Sequence, residues 1–314
     1  MNNYLALEPH KDNNINMGAN MDKRRDPRIS LALSVTVKKD GEKYELTTVN
    51  ISRGGAFIRT EKPLSIGELF DISIDLIDKK IECRGKVIWV NFPNEKSEYL
   101  SGMGVKFIDM DIQDVEYLGK FLGEELKKNI IVDEARDYPL KERIQIFDSN
   151  ILEINSDCLV LFAGEDGEFL DSFSKNIFDK ANGSTKRFYE MNKYSLSSKG
   201  AFLLPYFCDE YAVHYILIVA VPTYFDSYGE ELLRKAILNC LDKTSEQVFN
   251  SVSIPVFTLF ETSFPINVIS KILVGTIYGF LKKEYFPRKV FLFTTQNDEN
   301  IRLKFENKIE EIFS

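Results

Sequence analysis

The sequence predicts two units in series: a small antiparallel β-barrel with a helix at its C-terminal end, then an α/β layered domain. Three observations carry this reading. The 314 residues are twice the roughly 150 of an ordinary domain. Within residues 22–128, short alternating runs succeed one another, and a helical period appears only at the end. From residue 146 onward, runs apolar at consecutive positions alternate with helical faces, the pattern of strands buried on both sides and separated by helices.

Residues 1–21 hold six asparagines and no periodicity, and are expected to form a mobile tail. Leu31, Leu33, Val35 and Val37 alternate as a half-buried strand, and Asp40-Gly41 supplies a tight hairpin turn before Tyr44, Leu46 and Thr48. Phe70, Ile72, Ile74 and Leu76 form the next run. Ile81, Cys83, Gly85, Val87 and Trp89 follow, then Met103, Val105 and Phe107. Trp89 alternates in phase with Val87 and is therefore expected in the core. Val115, Leu118, Phe121, Leu122 and Leu126 share one helical face, closing the barrel unit near residue 128. Residues 129–145, charged from Asp133 and containing Pro139, are expected to be a connector.

In residues 146–314, buried runs are expected at Cys158–Ala163, Tyr215–Val221, Ile254–Phe260 and Val290–Thr294. Helical faces follow from Leu232, Leu233, Ala236, Ile237, Cys240 and Leu241, from Ile269 through Phe280, and from Ile301 through Ile312.

Composition narrows the chemistry. Hydrophobic residues at 44% and charged residues at 28% are enough for two cores. A net charge of −8 argues against binding of nucleic-acid polymers, while leaving room for a local basic site. No uncharged apolar run approaches the ~20 residues of a membrane span, and no leader pattern opens the chain, so a cytoplasmic location is expected. Cys83, Cys158, Cys208 and Cys240 lie far apart, and the histidines are His10 and His214. Neither a metal site, a disulfide framework nor a histidine-based catalytic triad is indicated.

Two features of the first unit could carry chemistry. Lys23-Arg24-Arg25-Asp26-Pro27-Arg28 precedes the first strand, and Pro27 makes it an extended or turning arm rather than a helix. Arginine presents a planar fork of donors suited to phosphate and to stacking on a purine face. Asn50-Ile51-Ser52-Arg53-Gly54-Gly55 is the second. Paired glycines let a ligand approach the main chain, and in an extended segment Asn50 and Ser52 point the same way.

Together these segments resemble the PilZ domain, the bacterial receptor module for cyclic di-GMP, whose motifs are R-x-x-x-R and [D/N]-x-S-x-x-G. Gly85-Lys86-Val87-Ile88-Trp89 and Gly102-Met103-Gly104-Val105-Lys106-Phe107 extend the likeness over residues 22–128. The resemblance implies that Arg24 and Arg28 hold the phosphates and contact the guanines. It implies that Asn50, Ser52 and Gly55 line the barrel surface beneath the ligand, with Arg25 and Arg53 as further contacts. An arm that orders over its ligand is a natural switch.

Residues 146–314 resemble a macro domain, an α/β/α layered mixed-sheet module that binds ADP-ribose and sometimes hydrolyses its linkages; the N-terminal domain of leucine aminopeptidases is a near alternative. The likeness runs through Ser156–Val160, Asn176–Gly183, Gly200-Ala201 with Leu204-Pro205, His214–Leu217, Val221-Pro222 with Tyr224, Glu231–Leu233, Ile254-Pro255 and Phe264-Pro265. Its ligand motifs are degenerate. Leu161-Phe162-Ala163-Gly164 stands where the family has an asparagine-rich strand end, and Thr258-Leu259-Phe260-Glu261-Thr262-Ser263 stands where it has a glycine-rich phosphate loop. The expected function is a non-enzymatic cyclic di-GMP effector with no other cofactor, whose second domain relays the state to a protein partner. The alternative is an ADP-ribose or nucleotide binder or hydrolase regulated by the first domain.

Overall fold

The computed structural model describes residues 28–92, 101–129, 139–206, 211, 213–294 and 299–313. The expected tail, Arg24, Arg25, residues 130–138 of the expected connector and Cys208 lie outside these residues.

Six antiparallel strands close the first barrel: β1 (Ser34–Lys39), β2 (Glu42–Ser52), β3 (Gly55–Arg59), β4 (Leu69–Asp75), β5 (Lys80–Asn91) and β6 (Gly102–Ile108), in the spatial order β1-β2-β3-β6-β5-β4. Asp40 and Gly41 both have positive φ and join β1 to β2 in a two-residue turn. Leu31 and Leu33 were expected in the first strand but precede it. They are pinned instead by Thr48, whose hydroxyl donates to the Leu31 carbonyl and accepts from the Leu33 amide. β3 carries too little alternation to announce itself and follows β2 after the two-residue turn Arg53-Gly54. Helix α1 (Ile112–Asn129) plugs the barrel with Leu118 and Leu122.

The second unit is a six-stranded sheet built from β7 (Ile144–Phe147), β8 (Ser156–Ala163), β9 (Ala201–Pro205), β10 (Val213–Ala220), β11 (Ser251–Pro255) and β12 (Lys289–Phe293). Its order is β7-β12-β11-β8-β10-β9, parallel throughout except for β9. In β8, Cys158, Val160 and Phe162 face one layer, and Leu159, Leu161 and Ala163 the other. The first layer is α5 (Gly229–Glu246), α6 (Ile266–Leu281) and α7 (Glu299–Phe313). The second is α2 (Ser172–Asp179), α3 (Gly183–Asn192) and the short α4 (Leu196–Lys199). The mixed α/β/α sheet and the barrel are thus both present.

The run expected from Ile254 to Phe260 is strand only as far as Pro255. Val256–Thr262 is a 3-10 helix, in which the Thr258 and Thr262 hydroxyls donate to the carbonyls three residues back, Pro255 and Leu259. β7 begins at Ile144, two residues ahead of the expected boundary.

The two units are joined along α1. Ile112 and Val115 pack on the two cores of the second unit, while Leu118 and Leu122 of the same helix belong to the barrel core. Gly119 and Gly123 lie one turn apart, where the end of α5 approaches. A Cβ at Gly119 would fall 1.9 Å from Gln247 Oε1, and one at Gly123 would fall 2.3 Å from the Glu246 carbonyl oxygen. Glycine inside a helix costs ~1 kcal/mol relative to alanine, and here it permits close packing between units. Lys243 bridges to Glu116 at 2.8 Å, and the Gln247 amide donates to the Glu116 carbonyl at 3.1 Å.

Candidate functional site

The site grows from the β2–β3 turn. Ile29 and Ile51 exchange both backbone hydrogen bonds at 2.9 Å, which ties the segment after the arginine arm to β2. That bridge sets Arg28, which is exposed, beside Asn50, with Nη1 donating to Oδ1 at 3.5 Å. A bulge between Thr48 and Asn50 shifts the register of β2 at this point. Ser52 is buried, and its hydroxyl donates to the Gly55 carbonyl at 3.2 Å across the turn. Gly55 is required by packing, since a Cβ there would sit 2.1 Å from the Val105 carbonyl oxygen of β6.

Arg53 turns away from the arm and into the second unit. It is 6% exposed, its Nε donates to Gln247 Oε1 at 3.2 Å, and its guanidinium lies 4.4 Å over the Phe249 ring and 5.3 Å over that of Tyr215. Because it also borders the cavity described next, Arg53 touches both a candidate ligand volume and the joint between the units.

Trp89 corrects the expectation of a core residue. The ladder shifts register between Val87, opposite Val105, and Trp89, opposite Gly104. The extra residue, Ile88, reverses the alternation, and Trp89 emerges 39% exposed. Its indole stacks on Phe57, with centroids 4.8 Å apart and planes within 8°, and lies directly over Gly104. Gly104 has no side chain to hold the ring off.

These residues line a cavity of about 700 Å³ between the units. Arg28, Ser52, Arg53, Gly55 and Trp89 come from the barrel, while Ser184, Thr185, Tyr206, His214 and Tyr215 come from the second unit. Asn50 is held next to Arg28 but does not border the volume. Of the charged side chains lining it, Arg28, Arg53 and Lys106 are cationic and Asp109 is anionic. The cavity is therefore cationic in a chain of net charge −8. His214 is half-buried at the start of β10 and lines the same volume. The motifs had pointed to the barrel wall. Lys106 reaches the volume through its register opposite Gly55 in the barrel, whereas the second-unit wall carries no local signal and is brought there by the packing of α1 against the sheet.

At the opposite end of the second sheet, the segment compared with a phosphate loop lies within the 3-10 helix. Thr258, Leu259 and Thr262 are buried there, Phe260 packs on the core, and Glu261 is exposed. Among the described residues no helix is long and apolar enough to cross a membrane.

No curated protein matches the chain. The solved structures it resembles include the macro domain of ganglioside induced differentiation associated protein 2, at 20% identity and TM-score 0.48 over 54% of this chain and 85% of that one. An Oceanobacillus iheyensis macrodomain with MES bound matches at 17% identity and TM-score 0.46, over 56% of this chain and 95% of the other. The Bacillus subtilis inhibitor of motility matches at 24% identity and TM-score 0.31, over 35% and 55%. The family profile of the PilZ domain matches residues 22–124, the stretch that holds both arginine-bearing segments and all six barrel strands. Residues 22–124 of this chain are a PilZ domain.

Proposed function

We propose that the chain is a non-enzymatic receptor for cyclic di-GMP, which it holds in the cavity between the barrel and the α/β/α unit, and that the second unit relays the bound state to a protein partner. The observation that carries the reading is the convergence of Arg28, Ser52 and Gly55 on a cationic cavity beside the exposed face of Trp89. A cyclic dinucleotide carries two phosphates for arginine forks and two purine faces for stacking. Arg24 and Arg25 are further ligand contacts in this reading, and Asn50 would orient Arg28. Arg53 is the route by which occupancy reaches the second unit, because the same guanidinium borders the ligand volume and grips Gln247 and Phe249.

The competing reading, ADP-ribose at the strand ends of the second unit, lacks a phosphate loop, since that segment is a helix with its threonines buried. Calorimetric titration of the full chain with each nucleotide separates the two. The expected result is saturable binding of cyclic di-GMP, weakened about tenfold or more by Arg28→Ala, as befits loss of a charge-assisted hydrogen bond of ~1.5–3 kcal/mol. Binding of ADP-ribose alone, or cyclic di-GMP binding unchanged in Arg24→Ala/Arg28→Ala, would overturn the proposal.

A further inference from the structure

We infer that the second unit is itself part of the binding site: Ser184 and His214 form a recognition wall that touches the dinucleotide directly. The inference rests on the receptor reading above and adds residues that neither motif of the barrel contains.

Three observations support it. The cavity belongs to neither unit alone, since Ser184, Tyr206, His214 and Tyr215 line it opposite the barrel's contribution. That wall is rigid. The Thr185 hydroxyl donates to the Pro205 carbonyl at 3.0 Å, the Tyr206 hydroxyl donates to the Ile177 carbonyl at 3.0 Å, and the Tyr215 ring packs on Phe249 and carries the Arg53 guanidinium over its face. Neighbours locked in this way present a fixed surface, and a fixed surface loses little entropy on binding. Ser184 is exposed and His214 half-buried, so these two, rather than the buried tyrosines, are accessible to a ligand. A hydroxyl and an imidazole are suited to the phosphate oxygens and to the O6 and N7 acceptors of a guanine edge.

A ligand gripped from both sides bridges the units, so substitutions far from the barrel in sequence should weaken its binding. The test is calorimetry of the full-length chain with cyclic di-GMP, using wild type, Arg28→Ala, His214→Ala/Ser184→Ala and Ser184→Trp. The double alanine variant should bind about tenfold more weakly, the loss of one or two hydrogen bonds. Ser184→Trp, a bulky side chain at an exposed position, should block binding while the unliganded protein melts at the wild-type temperature. Wild-type affinity in both second-unit variants, with binding still weakened in Arg28→Ala, overturns the recognition wall and leaves the receptor reading intact. Failure of the wild type to bind overturns both.

Discussion

The guanidinium of Arg53, on the β2–β3 turn of the barrel, lies 4.4 Å over the ring of Phe249, which follows α5 in the second unit, and 194 residues separate Arg53 from its hydrogen-bond partner Gln247. A cation held over two rings and one amide contributes about 2–3 kcal/mol to docking. Arg53→Ala is therefore expected to loosen the joint. Small-angle scattering should show a larger radius of gyration, and the variant should melt in two transitions where the wild type, with its units docked, is expected to melt in one. A compact, single-transition variant would show that α1 alone holds the units together.

Gly123 gives a test in which two effects have opposite signs. Helix propensity alone favours Gly123→Ala by ~1 kcal/mol. The docked geometry opposes it, because the new methyl would meet the Glu246 carbonyl oxygen at 2.3 Å, an overpacking penalty of ~1–3 kcal/mol. The expected outcome is net destabilisation and partial separation of the units, read by chemical denaturation and scattering. A stabilised variant would mean that α1 and α5 are not in close contact in solution.

Arg143 is buried just ahead of β7 and donates to five backbone carbonyls, those of Leu281, Glu284, Tyr285, Pro287 and Arg288, at 2.7 to 3.2 Å. It is a peg for the whole α6–β12 connection, and burial lowers the pKa of its guanidinium. Arg143→Met should cost about 3 kcal/mol or more, since it orphans several buried acceptors at once. Arg143→Lys should recover little, because an ammonium cannot fan its donors across the same plane. Urea unfolding of both variants measures this.

Burial pushes the thiols of Cys83 and Cys240 up to about 12, and that of Cys158 well above its usual value. The thiolate is the reactive form, so at pH 8 only about one buried thiol in ten thousand is ionised. In a Cys208→Ser background the native protein should resist alkylation at pH 8 and label fully once unfolded. The sign for stability follows from the raised values. The unfolded thiols ionise near pH 9 while the folded ones keep their protons, so this stability is present below pH 9. It is lost as the pH rises toward 12, at ~1.4 kcal/mol per pH unit per thiol. Rapid labelling of the folded protein would contradict it.

The barrel motifs were legible because they are local. Arg28, Asn50, Ser52 and Gly55 lie within 28 residues of one another, and one backbone bridge, Ile29 to Ile51, brings them together. Trp89 was misread because alternation assumes an unbroken ladder, and a single bulged residue inverts it. The resemblance implied Arg53 as a further ligand contact, and it does border the cavity, but its partners Gln247 and Phe249 are set by docking and could not be read from its neighbours in sequence. The clue to that docking was present in α1. Two glycines four residues apart in the middle of an amphipathic helix are costly unless something lies close against them. The 3-10 helix at Val256–Thr262 escaped notice because its apolar run is shared by buried strands and buried turns alike.

One edge of the second unit's sheet is β9, the only antiparallel strand among the described residues of that sheet. Against β9 packs α1, a helix that belongs by chain order to the barrel. An uncovered strand edge invites pairing with other molecules, so the barrel is also a shield against self-association. Residues 139–314 produced alone would bare that edge together with the apolar footprints of Ile112 and Val115. The same boundary governs how the protein can be dissected: cutting after α1 separates the units in sequence but leaves the second with an adhesive flank, whereas cutting before α1 keeps the sheet covered and opens the barrel.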